Sequence, residues 1–474
     1  MNYRTIVSFF AGPIFSAFIG FILLPMIAWL FTEQDLGRLA MLQVAGSFSV
    51  LIFSLGLDQS FVREYHEHND KNGILKEAVL PGTFVLVLAL IILFIYKQEF
   101  TRYLYKLDSN YIFWASMIFI LLSFFNRFLS LILRMQEKGA AYAVCLIIPK
   151  LFVLSLVLVT LAFDFKKNFE LLIGIYAASL IGALFLYIIF SAKELAAEVN
   201  SSIDKQRILV MINYGGPLMI GGIAHWVLVN IDRLLLNSLA DLSELGVFTM
   251  ANGFASIALV FQTGFSLVWA PTLYKWILDP KKIPRIANIR DKLVVIIVFI
   301  FVLAGVFSWL IPLILPNQYW EVQYIMMGCL VYPLLITLSE VTSVGIGISR
   351  KTHYAMAASI IAALINTAFG FWLIPIFGAK GAAAATAIAF FVFFVVKTES
   401  SIILWQKIPR IKLYLIVSLI SLTSIGFTLI GEDYSLVFRL MWVVIALVTI
   451  LAYRKDVGEL FDFSLTLLRQ NIFK

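Results

Sequence analysis

The sequence predicts an all-α polytopic membrane protein with about 14 transmembrane helices: two parallel six-helix lobes around a central cavity, then two C-terminal helices. Three observations carry this expectation. The chain is 61% hydrophobic and 14% charged, with a mean hydropathy of +0.95; a soluble domain is nearer half apolar and a quarter charged. Apolar runs of about 20 residues, enough to cross roughly 30 Å of hydrocarbon as helix, recur from end to end. Segments of the first half also reappear in the second half at a nearly constant offset.

The elements follow in order. "MNYRTIVSFFAGPIFSAFIGFILLPMIAWLF" opens the chain. Its apolar run is longer than a signal-peptide core and lacks a small-x-small cleavage pattern, so residues 6–31 read as span 1. Spans 2 to 6 fall at 38–57, 78–96, 111–133, 141–163 and 170–191. A polar, charged stretch at 192–208, opening "AKELAAEVNSSIDKQR", reads as a cytoplasmic linker. Spans 7 to 12 fall at 208–236, 245–269, 292–315, 323–347, 355–375 and 380–397. Spans 13 and 14 fall at 411–431 and 435–453. The expected divisions are an N-lobe at 1–191, the linker, a C-lobe at 209–404, and a C-terminal pair with a cytoplasmic tail at 405–474.

Basic residues set the expected orientation. Alternate loops such as "LRMQEKG", "YKWILDPKKIPRIANIRDK" and "WQKIPRIK" are rich in Lys and Arg, whereas "NSLADLSE", "PNQYWEVQ" and "GEDYS" contain none. Both termini are therefore expected in the cytoplasm; "YKQEFTRYLYK", with three basic residues on the outer side, runs against the trend. The net charge of +8 belongs to these loops and does not point to nucleic acid. Cys145 and Cys329 both lie in apolar runs and suggest neither a disulfide framework nor a metal site.

The repeat is the most informative feature. "DLGRLAMLQVAGS" (35–47) aligns with "ELGVFTMANGFAS" (244–256) at an offset of 209, matching Leu36/Leu245, Gly37/Gly246, Met41/Met250 and Ser47/Ser256. "GIYAASLI" (174–181) aligns with "GAAAATAI" (381–388) at an offset of 207. These segments open spans 2 and 8, then 6 and 12, so six spans are duplicated in the same orientation. Parallel repeats about an axis along the membrane normal suit a transporter with its site between lobes.

Five stretches carry a resemblance: "FTEQDLGRLAM" (31–41), "GLDQSFVREY" (56–65), "NIDRLLLNSLADLSELGVFTMANGF" (230–254), "SLVWAPTLY" (266–274) and, above all, "IGISRKTHYAMAASIIAALINTAFGFWLIPIFGAKGAAAAT" (346–386). They resemble the multidrug/oligosaccharidyl-lipid/polysaccharide exporter superfamily, and within it the Wzx-like O-antigen and capsule flippases. The resemblance implies a non-enzymatic flippase of the bacterial cytoplasmic (inner) membrane. It would move undecaprenyl-pyrophosphate-linked oligosaccharide repeat units to the outer leaflet by alternating access, for O-antigen lipopolysaccharide, capsule or exopolysaccharide. Its partners would be that lipid-linked oligosaccharide, membrane lipids, and a polysaccharide polymerase and chain-length regulator. No cofactor is expected beyond a coupling ion; proton, sodium and uncoupled movement all stay open.

Such a substrate needs a wide polar path with cations for its diphosphate, and Arg matches phosphate oxygens with its fork of donors. An ionisable side chain within a span is costly facing lipid, so these residues are the candidates. The cationic set is Arg63, Arg127, Lys150 and Arg233. The acidic set, coupling or structural, is Asp58, Asp232 and Glu340. Snorkelling to the inner headgroups is the plainer role for Arg63 and Arg127, and an interhelical hydrogen bond is the plainer role for Glu340. His225 reads as a packed or water-facing histidine, while Trp226 and Trp269 are candidates for sugar stacking. Pro13 and Pro25 in span 1, and Gly215, Gly216 and Pro217 in span 7, occupy matching places where helices are expected to bend.

Two rivals share the superfamily: a cation-coupled multidrug exporter, which favours acidic cavity residues, and a lipid II flippase. The intramembrane bases at least equal the acids, which favours an anionic substrate. A repeat-unit polymerase or glycosyltransferase would need a long catalytic loop outside the spans, and no loop here has that length.

Overall fold

Within hydrocarbon every backbone N–H and C=O must be satisfied inside its own segment, and long apolar runs meet that demand only as helix. A computed structural model describes residues 3–67, 73–163, 165–199 and 201–462, all of it helices and connectors. The first half contains α1 (Tyr3–Leu30), α2 (Glu33–Phe53), α3 (Leu57–Glu67), α4 (Ile74–Ile95), α5 (Lys97–Tyr105) and α6 (Asn110–Met135). It continues with α7 (Gly139–Ala162), α8 (Phe169–Phe190), α9 (Ala192–Val199), α10 (Lys205–Leu239) and α11 (Leu242–Ala255). The second half contains α12 (Ile257–Ile277), α13 (Pro284–Val306), α14 (Ile311–Ile314) and α15 (Val322–Thr342). The chain ends with α16 (Val344–Ile348), α17 (His353–Leu404), α18 (Ile411–Ile430) and α19 (Ser435–Ala452).

Among the described residues, 12 helices are long and apolar enough to cross a membrane, or 13 when α13 and the segment Ser308–Ile314, bent by 46°, make one span. The expected 14 is not reached by this count. The expected spans 11 and 12 both lie within the 52-residue segment α17, counted once here although it consists of two helices that meet at a kink. A kink at Gly378 (φ 54°, ψ −128°) separates the two; that backbone region is open to glycine and strained for any other residue.

The chain forms two compact units, Met1–Thr249 and Met250–Lys474. The expected lobe boundary at 192–208 rests on the repeat, which is a different property from contact density. In the first unit α6 is central, with Phe113, Phe124 and Phe128 fully buried. α4 lies at its edge and exposes Phe84, Ile91 and Ile95, an apolar face suited to hydrocarbon. A turn with Leu55 and Gly56 at positive φ (52° and 73°) redirects the chain from α2 into α3. In the second unit α15 is central, its hydrophobic window 83% buried. Ala382–Ala385 of α17 are fully buried, and a side chain at Gly328 of α15 would press on the Thr428 hydroxyl and the Ala383 carbonyl. Small residues permit that close approach.

The expected linker is partly helical and is clipped to α4 by two carboxylates pointing in opposite directions. Glu198 of α9 accepts the N–H of Lys76 at 3.2 Å and receives those of Leu75 and Gly73 as well, capping α4 from outside. Burial nevertheless holds its carboxyl above the usual range. Glu77 of α4, fully buried, accepts from Asp204 N at 2.8 Å and pairs with Arg207 through Nε and Nη2 at the start of α10. Removing one partner of a buried pair strands the other charge, at about 3 kcal/mol where burial is incomplete. Glu77→Ala should therefore lower the melting temperature of the detergent-purified protein clearly, and Glu77→Ala with Arg207→Ala should recover part of the loss. A double variant as unstable as the sum of the singles would show that the two residues act independently.

Candidate functional site

The first turn of α3 and the middle of α6 bring together two residues 69 apart in sequence. Arg127 donates through Nε and Nη2 to one oxygen of Asp58, Oδ2, at 3.1 and 2.6 Å. Asp58 is buried at 8% exposure. The Arg127 side chain remains 33% exposed and faces a cavity of about 290 Å³. Ser47, Ser54 and Gln59 give the cavity polar walls, and Leu218 and Met219 of α10 an apolar one. Trp226 of α10 donates through Nε1 to Ser47 Oγ at 3.0 Å, which places an indole beside the cavity rim.

The chemistry of this pair is specific. Both donors converge on a single carboxylate oxygen, and among the described residues Nη1 of Arg127 has no hydrogen-bond acceptor. The cationic edge left over faces the cavity. The space is large enough for a hydrated anionic group beside Arg127.

The other expected residues lie elsewhere. Arg63, also on α3, is exposed; it pairs with Glu67 at 2.8 Å and covers the Tyr214 ring at 4.6 Å. Lys150 of α7 is half-buried and donates to the Ser16 carbonyl of α1 at 2.9 Å, with its ammonium against Gly20. Asp232 is buried and Arg233 half-buried near the end of α10. His225 is exposed on the same helix. α1 runs through Pro13 and Pro25, and α10 through Gly215, Gly216 and Pro217, without interruption.

Glu340 of α15 belongs to the second unit and forms its own cluster. Its Oε1 accepts from Ser266 Oγ at 2.5 Å and Gln262 Nε2 at 2.9 Å, and its carbonyl accepts Trp269 Nε1 at 3.1 Å. Trp269 is 5% exposed and stacks on Phe265, so it serves α12–α15 packing. Lys397 of α17 lies close enough to interact electrostatically with Glu340 and covers the Phe393 ring at 5.0 Å. Sequence reasoning missed Lys397 because span 12 was ended at it; α17 runs to Leu404, two turns further. Glu340→Gln should preserve the melting temperature within a few degrees, since an amide still fills the cluster. Glu340→Leu should lower it by about 1–3 kcal/mol in stability, because Ser266 and Gln262 lose their acceptor. Equal melting of both variants would leave the cluster without structural weight.

The comparisons agree with this architecture. The chain is similar to the lipid II flippase MurJ in an inward closed conformation, at 14% identity and a TM-score of 0.67, covering 95% of this chain and 100% of that one. It is also similar to a MATE protein in its straight conformation, at 13% identity and a TM-score of 0.52, covering 84% and 94%. An inward-facing multidrug resistance MATE family transporter of the MOP superfamily gives 13% identity and a TM-score of 0.50, covering 85% and 94%. No curated protein sequence matches. The likeness to MurJ and MATE is one of fold, whereas the polysaccharide biosynthesis protein family matches this sequence over residues 3–276. More than half of the chain thus fits one family, and the protein belongs to the polysaccharide biosynthesis protein family.

Proposed function

We propose that this protein is a flippase, not an enzyme. It moves undecaprenyl-pyrophosphate-linked oligosaccharide repeat units from the cytoplasmic to the outer leaflet of a bacterial inner membrane by alternating access. The products would feed O-antigen, capsule or exopolysaccharide synthesis, with a polymerase and chain-length regulator as downstream partners. The lobes are 1–191 and 209–404, and both termini are cytoplasmic. The observation that carries this reading is Arg127, a cation within a spanning helix whose free edge faces a polar cavity.

A lipid-linked diphosphate can leave its polyprenyl tail in the bilayer while its anionic head crosses through protein. Arg127 supplies donors to that head, and Asp58 holds the guanidinium in place before the substrate arrives. Asp58 also neutralises Arg127 in the empty site, so that this cation is not left uncompensated within the membrane. Lys150 and Arg233 serve as further cationic stations, Glu340 is the group through which an ion couples, and α1 and α10 bend at their prolines.

The test is leaflet exchange of an undecaprenyl-pyrophosphate oligosaccharide in proteoliposomes. Arg127→Ala should slow exchange at least tenfold, with smaller losses for Lys150→Ala and Arg233→Ala and a measurable slowing for Pro217→Ala. Exchange of lipid II in preference to the oligosaccharide lipid, or efflux of an amphipathic cation with Arg127→Ala unaffected, would replace this reading with the corresponding rival.

A further inference from the structure

The internal repeat produces a reciprocal contact that its sequence alignment does not show. α2 and α11 begin alike. Thr32 Oγ1 accepts the N–H of Asp35 at 3.2 Å, and Asp241 Oδ1 accepts the N–H of Glu244 at 2.9 Å. Leu36 N donates to Thr32 O at 3.1 Å, and Leu245 N to Asp241 O at 3.2 Å. Thr32/Asp241 and Asp35/Glu244 stand 209 residues apart, the offset of the repeat, so the duplication extends back to the caps.

Each helix start then meets the other. A Cβ built on Gly37 would lie 2.1 Å from the carbonyl oxygen of Leu242, and one on Gly246 would lie 2.0 Å from that of Glu33. Leu242 is the repeat partner of Glu33, and Gly246 that of Gly37. Residue 37 therefore packs on 242 as residue 246 packs on 33, the self-complementary pattern of an isologous two-fold interface. In glycine a hydrogen occupies the Cβ direction, so each Cα–H points at the opposite carbonyl, a contact that recurs where helices approach closely. No side chain lies between the two backbones, and no residue but glycine leaves room for the approach.

We infer that Gly37 and Gly246 form a symmetric glycine clasp that closes one end of the transport path and must part when that end opens. The clasp lies near the C-terminal end of α10, opposite the Glu77–Arg207 clip at its start; in the proposed orientation it is the outer closure. The inference rests on the alternating-access reading but not on the identity of the cargo. A methyl group at either glycine pushes the same two backbones apart, so either substitution biases the protein toward the open end, and a second one adds little.

The test uses a variant in which Cys145 and Cys329, both buried and free, are replaced by Ser and Leu36, 2% exposed beside Gly37, by Cys. A polar maleimide then reports opening in proteoliposomes. Gly37→Ala and Gly246→Ala should each raise the labelling rate about tenfold and lower lipid exchange by similar factors, with the double variant close to either single. Gly182→Ala, where a Cβ would meet nothing within 4 Å, should change neither. Labelling in both clasp variants as slow as in the parent would overturn the inference. If the alanine variants do not fold, labelling of the native-glycine protein is followed instead: acceleration during turnover supports the clasp, and a constant rate overturns it. Faster labelling in a parent that moves no oligosaccharide lipid would support the clasp while refuting the proposed cargo.

Discussion

A charge within a bilayer must find its partner inside the protein, and this constraint organises the first unit around Arg127. The guanidinium cannot be left facing lipid without a cost of several kcal/mol by some scales. It is satisfied because the Leu55–Gly56 turn swings α3 aside and carries Asp58 to α6. The turn would have little purpose if α2 simply continued. The redirected helix also supplies Ser60, whose hydroxyl donates to the Met211 carbonyl at 2.7 Å and fixes α10 against α3. The pair, the cavity and the seating of α10 thus share one geometric cause.

Much of the fold was legible in the sequence because hydrocarbon leaves the backbone little choice. Apolar length located the helices, and loop composition located the linker. What was not legible depended on local backbone conformation. The break at Gly378 falls between residues 375 and 380, where spans 11 and 12 were expected to part, but it is a kink and not a loop. Asp58 and Arg127 were each recognisable as anomalous, but their pairing across 69 residues depends on the Leu55–Gly56 turn and not on any spacing motif. Lys397 escaped notice because a lysine at the end of an apolar run looks like the end of a span; helix continuity puts it beside Glu340.

The repeat shows the opposite case, in which sequence identity proved less informative than geometry. Gly37/Gly246 aligned as one small-residue match among several, and small residues coincide often in membrane helices. The matched caps and the reciprocal carbonyl contacts give the match a cause. Two copies of one helix start that face each other across a two-fold axis must present the same residue to the same partner. A glycine required in one copy is then required in the other, so the clasp links the history of the duplication to a packing constraint.

The two ends of α10 are held by different chemistry. At about 1.5 Å per residue its 35 residues span roughly 50 Å, more than the hydrocarbon core. Its start is held by charge, through Glu77 and Arg207, with Glu198 capping α4 alongside. Its far end adjoins a contact made of backbone alone, with Asn237 Nδ2 donating to the Tyr103 carbonyl at 3.0 Å nearby. The ion pair with its fully buried carboxylate is a fixed clip, since separating it would strand a charge in the interior. A backbone closure loses only dispersion and weak Cα–H contacts, which fall away steeply with distance. Salt screens a pair with a fully buried carboxylate little, so the start of α10 stays anchored, and the glycine contact is the one that the proposed cycle parts. One helix thus joins a charge-locked anchor at its start to a backbone-only contact near its end.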